Sequence, residues 1–301
     1  MSNNSTNIKP GSAAAYFQLL KPRVMTLVIF TGGVGLWMSG GTIEWWRALL
    51  GMLCLSFGAG AAGALNMWYE RDLDAMMERT KSRPLPMGLV QPRSALIFGT
   101  LVSILSVGLM AAFVDMLAAI ILAVANLYYV FLYTIYLKPR TPQNIVIGGA
   151  AGAFPPMIGW AMATGEFSWV SFSLFLFVFT WTPPHSWALA LYKRDDYAAA
   201  GFPMLPVVSG EAETKRQIIL YSVAMVAVSL IPWFVPGGTS WIYGLVAVAF
   251  GIIFIAGAIR VARSAAGDYD AAKKLFGFSI LYLAALFAVA AMDAETVVRF
   301  V

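Results

Sequence analysis

Long apolar runs recur through the 301 residues at roughly 24 to 40, 47 to 67, 94 to 113, 116 to 136, 144 to 163, 168 to 191, 217 to 235, 240 to 260 and 275 to 292. Each is long enough as a helix to cross a hydrocarbon core of about 30 Å. Short polar breaks separate the runs on one side, at Gly40 to Trp46, Val114 and Asp115, Thr164 to Phe167 and Pro236 to Thr239. On the other side lie longer charged segments, the two largest at 68 to 93 and 192 to 216. The pattern predicts an all-α polytopic membrane protein of about nine transmembrane helices.

Charge fixes the direction of threading. Of the 20 Lys and Arg residues, all but Arg47 and Arg299 fall on the side of the N-terminus. Cations collect on the cytoplasmic side of a membrane, so the N-terminus is expected inside. The formal charge of +5 is then a topology signal, and no nucleic-acid partner is expected. With 60% apolar and 12% charged residues, the chain falls well short of the roughly 25% charged residues of soluble domains. Residues 1–22 are mostly polar and are read as a cytoplasmic N-terminal segment, followed by a single transmembrane domain over 23–301. No small-residue cleavage site follows a short apolar core, so the first span is expected to stay in place. The plasma (inner) membrane of a bacterium is the expected location. Cys54, the one cysteine, lies inside the second run and reads as packing.

The chemistry concentrates where the second run turns charged. Asn66, Glu70 and Asp74 are spaced by four residues and share one helix face, with Glu78 continuing the row. Stacked acids repel unless a cation sits among them, which asks for a hard metal ion. Arg79, Lys81 and Arg83 follow at once. Acids and cations so mixed suit a metal-bound polyanion such as diphosphate, with Mg²⁺ the natural ion because it keeps waters and takes phosphate oxygens. The bland alternative is a solvated juxtamembrane loop. A second acidic pair, Asp195 and Asp196, stands beside Lys193 and Arg194 at the end of the sixth run. Should the two loops converge, two metal-binding faces would grip one diphosphate; an unrelated surface cluster is the other reading.

Both loops run from a charged stretch into a pair of prolines, Arg71-Asp72-Leu-Asp74 to Pro84 and Pro86, and Arg194-Asp195-Asp196 to Pro203 and Pro206. Four helices separate them, which suggests two parallel four-helix halves plus a ninth helix. Double prolines at Pro155-Pro156 and Pro183-Pro184 place irregular backbone at membrane depth, tolerated where it is buried or lines a cavity. Packing kinks would explain them equally well.

Asn66-x-x-x-Glu70-x-x-x-Asp74 followed by Arg79-Thr-Lys-Ser-Arg-Pro84 resembles the first signature of the UbiA superfamily of intramembrane prenyltransferases. Leu20-Lys-Pro-Arg-Val24, Tyr133-Thr-x-x-Leu-Lys138, Trp181-Thr-Pro-Pro-His185 and Asp196-Tyr-x-x-Ala-Gly-x-Pro-Met-Leu-Pro206 are similar to its haem-modifying branch. Glu70 stands where most of the superfamily has Asp, and only Tyr192 lies four residues before Asp196, where the second signature usually has an acid.

The resemblance implies two helical halves around a central cavity that opens to the cytoplasmic side. It implies Mg²⁺-dependent transfer of a farnesyl group from farnesyl diphosphate to a vinyl group of haem b, the haem being substrate. Asn66, Glu70, Asp74 and Asp196 would be the catalytic metal-binding residues, with Asp195 assisting. Arg79, Lys81, Arg83, Lys138, Lys193 and Arg194 would serve the diphosphate or the haem propionates. His185, the sole histidine, is an expected haem-binding residue, its competing role being to cap carbonyls freed by the kink. Further expected partners are the lipid bilayer and haem A synthase or terminal-oxidase assembly factors. Rival readings are an aromatic prenyltransferase of the same superfamily, a transporter and a non-enzymatic haem chaperone.

Overall fold

The computed structural model describes residues 8–295 and 298–301, so part of the expected 1–22 segment and a short stretch near the C-terminus lie outside it. Helices α1 (Ala13–Leu19) and α2 (Pro22–Trp37) are followed by a short strand β1 (Thr42–Ile43) and by α3 (Trp45–Met76). Next come α4 (Pro92–Phe113), α5 (Met116–Leu127) and a π-helix over Tyr128–Leu137. Helix α6 (Asn144–Gly148), a 3₁₀ turn (Gly149–Gly152) and α7 (Pro155–Thr164) make one broken span, and α8 is Trp169–Tyr192. Beyond the short α9 (Arg194–Ala199) and α10 (Leu205–Val208) lie α11 (Gly210–Ser229), α12 (Ile231–Phe234), α13 (Trp241–Arg263), α14 (Asp270–Met292) and strand β2 (Arg299–Phe300).

Helix starts follow local chemistry. Proline opens α2, α4 and α7, where its missing N–H costs nothing. Ser12, Asp115, Ser168 and Ser240 cap α1, α5, α8 and α13, each side chain accepting from a backbone N–H of the first turn.

Seven helical rods among the described residues are long and apolar enough to cross a bilayer, and the pair α1 and α2, bent by 57°, makes eight. The remaining expected span is α8, whose 24 residues reach about 36 Å at 1.5 Å per residue. Thr180, Thr182, two prolines and His185 lower its apolarity, yet the helix runs unbroken through Pro183 and Pro184. The chain is a multi-pass membrane protein.

Two cores divide the bundle. One gathers Leu36, Leu55, Met110, Leu122, Ile158 and Met162 from α2, α3, α4, α5 and α7, with Cys54 buried among them. The other gathers Phe177, Tyr243, Phe254, Tyr282 and Phe287 from α8, α13 and α14. Helices α2 and α7 cross between them nearly backbone to backbone. A Cβ on Gly159 would fall 1.9 Å from the Gly32 carbonyl oxygen, and one on Gly35 would fall 2.1 Å from that of Pro156. Only glycine permits that approach, as at small-residue crossings elsewhere in membranes. Opposite the charged loops, β2 pairs in parallel with β1, Thr42 with Arg299 and Ile43 with Phe300. This small strand pair ties residues 299–300 to the loop between α2 and α3 and, with an isolated bridge between Thr239 and Ala294, departs from an all-α architecture among the described residues.

Candidate functional site

Helix α3, at 32 residues, is about 48 Å long, so it outruns the hydrocarbon core and carries Asn66, Glu70 and Asp74 toward its C-terminal end. All three are buried, Asp74 completely. The helix stops at Met76, and Met77 turns to extended backbone. Glu78 therefore does not continue the row as the spacing suggested; it is exposed and pairs with Lys81 across the surface.

A cationic or polar side chain meets each member of the row. Lys138 places Nζ 2.6 Å from both oxygens of Glu70. Arg83 donates through one guanidinium nitrogen to both oxygens of Asp74 at 2.8 and 2.7 Å. Lys21 donates to Asn66 Oδ1 at 2.7 Å, while Asn66 Nδ2 donates to Thr134 at 3.1 Å, which fixes the amide's orientation. The acids are thus neutralised by the protein's own ammonium and guanidinium groups, a solution the row alone did not disclose because its partners lie 9 to 68 positions away.

Backbone irregularity delivers those partners. Lys21 sits at the bend between α1 and α2 with φ 53°, the one non-glycine residue with positive φ among the described residues. L-residues hold that conformation at a cost, and such strain gathers at functional sites. Its stem packs on Gly63 of α3, where a Cβ would stand 3.3 Å from Lys21 Cδ. The π-helix, closed at its end by Lys138 N–H donating to the Tyr133 carbonyl, brings Thr134 and Lys138 to the row. Single π-turns inside α-helices often mark such sites. Lys21 belonged to a stretch singled out in the sequence, but nothing there assigned it a role.

The two charged loops converge. Leu73 and Met77 from the first pack with Tyr197, Phe202 and Met204 from the second, and the Phe202 ring lies 4.6 Å from Lys138 Nζ. Asp196 is next in sequence to Tyr197 in this packed cluster. Its Oδ2 is buried with no hydrogen-bond partner, and Lys193 Nζ stands 3.5 Å away without forming one. Asn144 Oδ1, at the start of α6, is buried and equally unpartnered. Asp195, Arg79 and Arg194 are exposed, and Lys81 is engaged with Glu78.

Do these residues fit a divalent ion? Among the described residues no three His, Cys, Asp or Glu side chains stand ready as a cluster. The donor set is nevertheless all oxygen, as a hard cation requires. Asp196 Oδ2 is a buried acceptor with no hydrogen bond, answered only by the Lys193 ammonium at 3.5 Å, and such groups call for an explanation. A role as a metal ligand is one.

Beside the row a narrow apolar cavity of about 110 Å³ runs from Lys21 and Tyr129 past Gly63 and Leu122 to Leu55 and Ile158. His185, on α8, faces α14 instead. Its ring is sandwiched between Trp181 and Phe276, with centroids 4.1 and 4.6 Å away, and Nδ1 is 2.6 Å from Ser279 Oγ. Among the described residues the ring caps no backbone carbonyl, and α8 continues through Pro183 and Pro184.

Residues 27–290 match the UbiA prenyltransferase family. Over 278 residues the chain is 53% identical to a protoheme IX farnesyltransferase of Parvibaculum lavamentivorans, covering 92% of this chain and 87% of that protein. It is 51% identical to the one from Bartonella tribocorum, covering 100% and 96%. A solved digeranylgeranylglyceryl phosphate synthase superposes with TM-score 0.75 at 20% identity, covering 93% of this chain and 98% of that one. A UbiA homolog from Archaeoglobus fulgidus bound to GPP and Mg²⁺ superposes with TM-score 0.61 at 18% identity, covering 92% and 99%. With the fold, the acid row and full-length similarity all in agreement, the chain belongs to the UbiA prenyltransferase family.

Proposed function

We propose that the protein transfers a farnesyl group from farnesyl diphosphate to the outer carbon of a vinyl group of haem b, with water adding as hydroxyl to the cation left on the inner carbon and diphosphate and a proton released, at the cytoplasmic face of a bacterial inner membrane. The observation that carries this reading is the buried row of Asn66, Glu70 and Asp74, held by Lys21, Lys138 and Arg83 at the mouth of an apolar cavity. The relatives named protoheme IX farnesyltransferase support the choice of substrates.

Cleavage of an allylic C–O bond is limited by the charge left on the departing diphosphate. Lys138 and Arg83 are placed to move from their carboxylates onto phosphate oxygens, where Lys21 joins them. That exchange frees Glu70 and Asp74, with Asn66 and Asp196, to hold Mg²⁺. When bound, the ion supplies Lewis-acid neutralisation of the leaving group. Preorganised cations of this kind act where charge develops. Because the protein already neutralises its own acids, the exchange costs little rearrangement of the bundle. The apolar cavity takes the isoprenoid, whose burial is favourable by about 0.8 kcal/mol per CH₂. At about 110 Å³ it lies below the roughly 300 Å³ usual for ligand pockets, so its walls part as the chain enters. The dry walls also keep water from capturing the allylic cation before the vinyl carbon does.

Exposed Arg79, Arg194 and half-exposed Lys193 at the rim suit the haem propionates. His185 serves as a ligand or orienting group for the haem. The test is direct. Purified protein receives haem b, farnesyl diphosphate and Mg²⁺, and the pigment is examined by mass. A mass gain of one farnesyl group plus one hydroxyl is expected, slowed by about 10²- to 10³-fold in Asp74→Asn and lost with chelator; unchanged haem b with the intact protein would end the proposal.

A further inference from the structure

Ser279 on α14 makes three contacts around His185. Its Oγ donates to the Phe276 carbonyl at 2.6 Å, its own carbonyl accepts from Trp181 Nε1 at 2.8 Å, and Oγ lies 2.6 Å from His185 Nδ1. A serine hydroxyl carries one proton, and the Phe276 carbonyl can only accept. With that proton committed, Oγ meets Nδ1 as an acceptor, so the nitrogen must bear the hydrogen. A neutral imidazole with a proton on Nδ1 has its lone pair on Nε2. Among the described residues Nε2 forms no hydrogen bond, and the side chain is only partly buried. Trp181 and Phe276 fix the plane of the ring from both faces.

We infer that Ser279 is a positioning residue that locks His185 in the Nδ1–H tautomer and so offers the Nε2 lone pair as a ligand for the iron of the haem substrate. The Trp181 bond to the Ser279 carbonyl couples one wall of the ring sandwich to the same residue, so plane and tautomer are set together. Metal-bound histidines elsewhere are oriented in this way by a partner on the far nitrogen. The ligand half of the inference rests on the placement of haem proposed above; the tautomer half stands on the protein alone.

His185 is the only histidine, which makes the tautomer directly readable. Protein labelled with ¹⁵N-histidine, purified through a histidine-free tag in lipid, is measured by magic-angle-spinning NMR with and without haem b. The expected result without haem is a protonated Nδ1 and a bare Nε2; a protonated Nε2 in the native protein overturns the inference. Ser279→Ala, which only removes an oxygen, should move the ring toward the other tautomer and weaken haem binding by about 10- to 100-fold, the usual cost of losing such a partner. Ser279→Thr, which keeps the hydroxyl, should restore both. An unchanged tautomer and unchanged haem affinity in folded Ser279→Ala would overturn the lock. Haem that binds without perturbing Nε2, while Nδ1 stays protonated, would overturn the ligand half and the haem placement beneath it, leaving the lock intact.

Discussion

Lys138 reaches both carboxylate oxygens of Glu70 at 2.6 Å across 68 positions of sequence, with the carboxylate 2% exposed and the lysine 13%. A pair so deeply placed is costly to break on one side and cheap to replace on both. Lys138→Ala should lower stability by about 3–5 kcal/mol, the usual cost of stranding a buried charge. Glu70→Gln combined with Lys138→Met should recover most of that while leaving farnesyl transfer abolished. Thermal unfolding in detergent alongside the product assay separates the two effects. Equal stability in Lys138→Ala and wild type would contradict the pairing.

Because Glu70 and Asp74 are neutralised by Lys138 and Arg83, the fold is expected to hold without a metal. A chelator should stop turnover and leave the unfolding temperature within the error of the measurement, with activity returning on addition of Mg²⁺. A large loss of stability on chelation would indicate that the acids, not the cations, dominate the resting site.

Asp74→Asn keeps the shape of the side chain but removes the charge that pairs with Arg83 and is expected to bind metal. By comparison with the loss of a charge-stabilising group at other active sites, kcat should fall by about 10²- to 10³-fold. Haem binding should be unaffected, since the side chains around His185 are Trp181, Phe276 and Ser279 and none belongs to the row.

Lys21 holds Asn66 by a charge-assisted hydrogen bond of 2.7 Å. Such bonds contribute roughly 1.5–3 kcal/mol. Lys21→Met should therefore weaken use of the diphosphate substrate by about 10- to 100-fold, read as kcat/KM, while Arg23→Met on the exposed side of the same turn should have little effect.

At the α2–α7 crossing, Gly159→Ala drives a methyl against the Gly32 carbonyl. Overpacking of this kind costs about 1–3 kcal/mol; here the obstacle is backbone, so the upper end is expected. Gly152→Ala is the control, since nothing lies within 4 Å of its added carbon. Yield and unfolding temperature of the two variants in detergent give the comparison.

The apolar runs, the charge bias and the four-residue spacing of Asn66, Glu70 and Asp74 were legible in the chain because hydrophobic length and helical period are local properties. The metal-favouring reading of the row followed from the same locality: viewed along one helix, three oxygen-bearing side chains have no visible counter-charge. Lys138, Arg83 and Lys21 become their partners only through a π-helix, a loop and a strained bend that no periodicity announces. Glu78 failed to join the row for a related reason, since α3 gives way to extended backbone at Met77.

His185 could be noticed in the sequence as the sole histidine, yet its partner Ser279 lies 94 residues on, in a final third without motifs. Sequence by itself determined that the chain is a bundle of membrane helices with a charged mouth of one family's type. Tertiary structure decided which cation answers which acid, that the two loops meet over Lys138, and which nitrogen of the histidine is free. Hydrogen bonds and ion pairs are contacts of a few ångströms between residues far apart in the chain, and only packing brings those residues within reach.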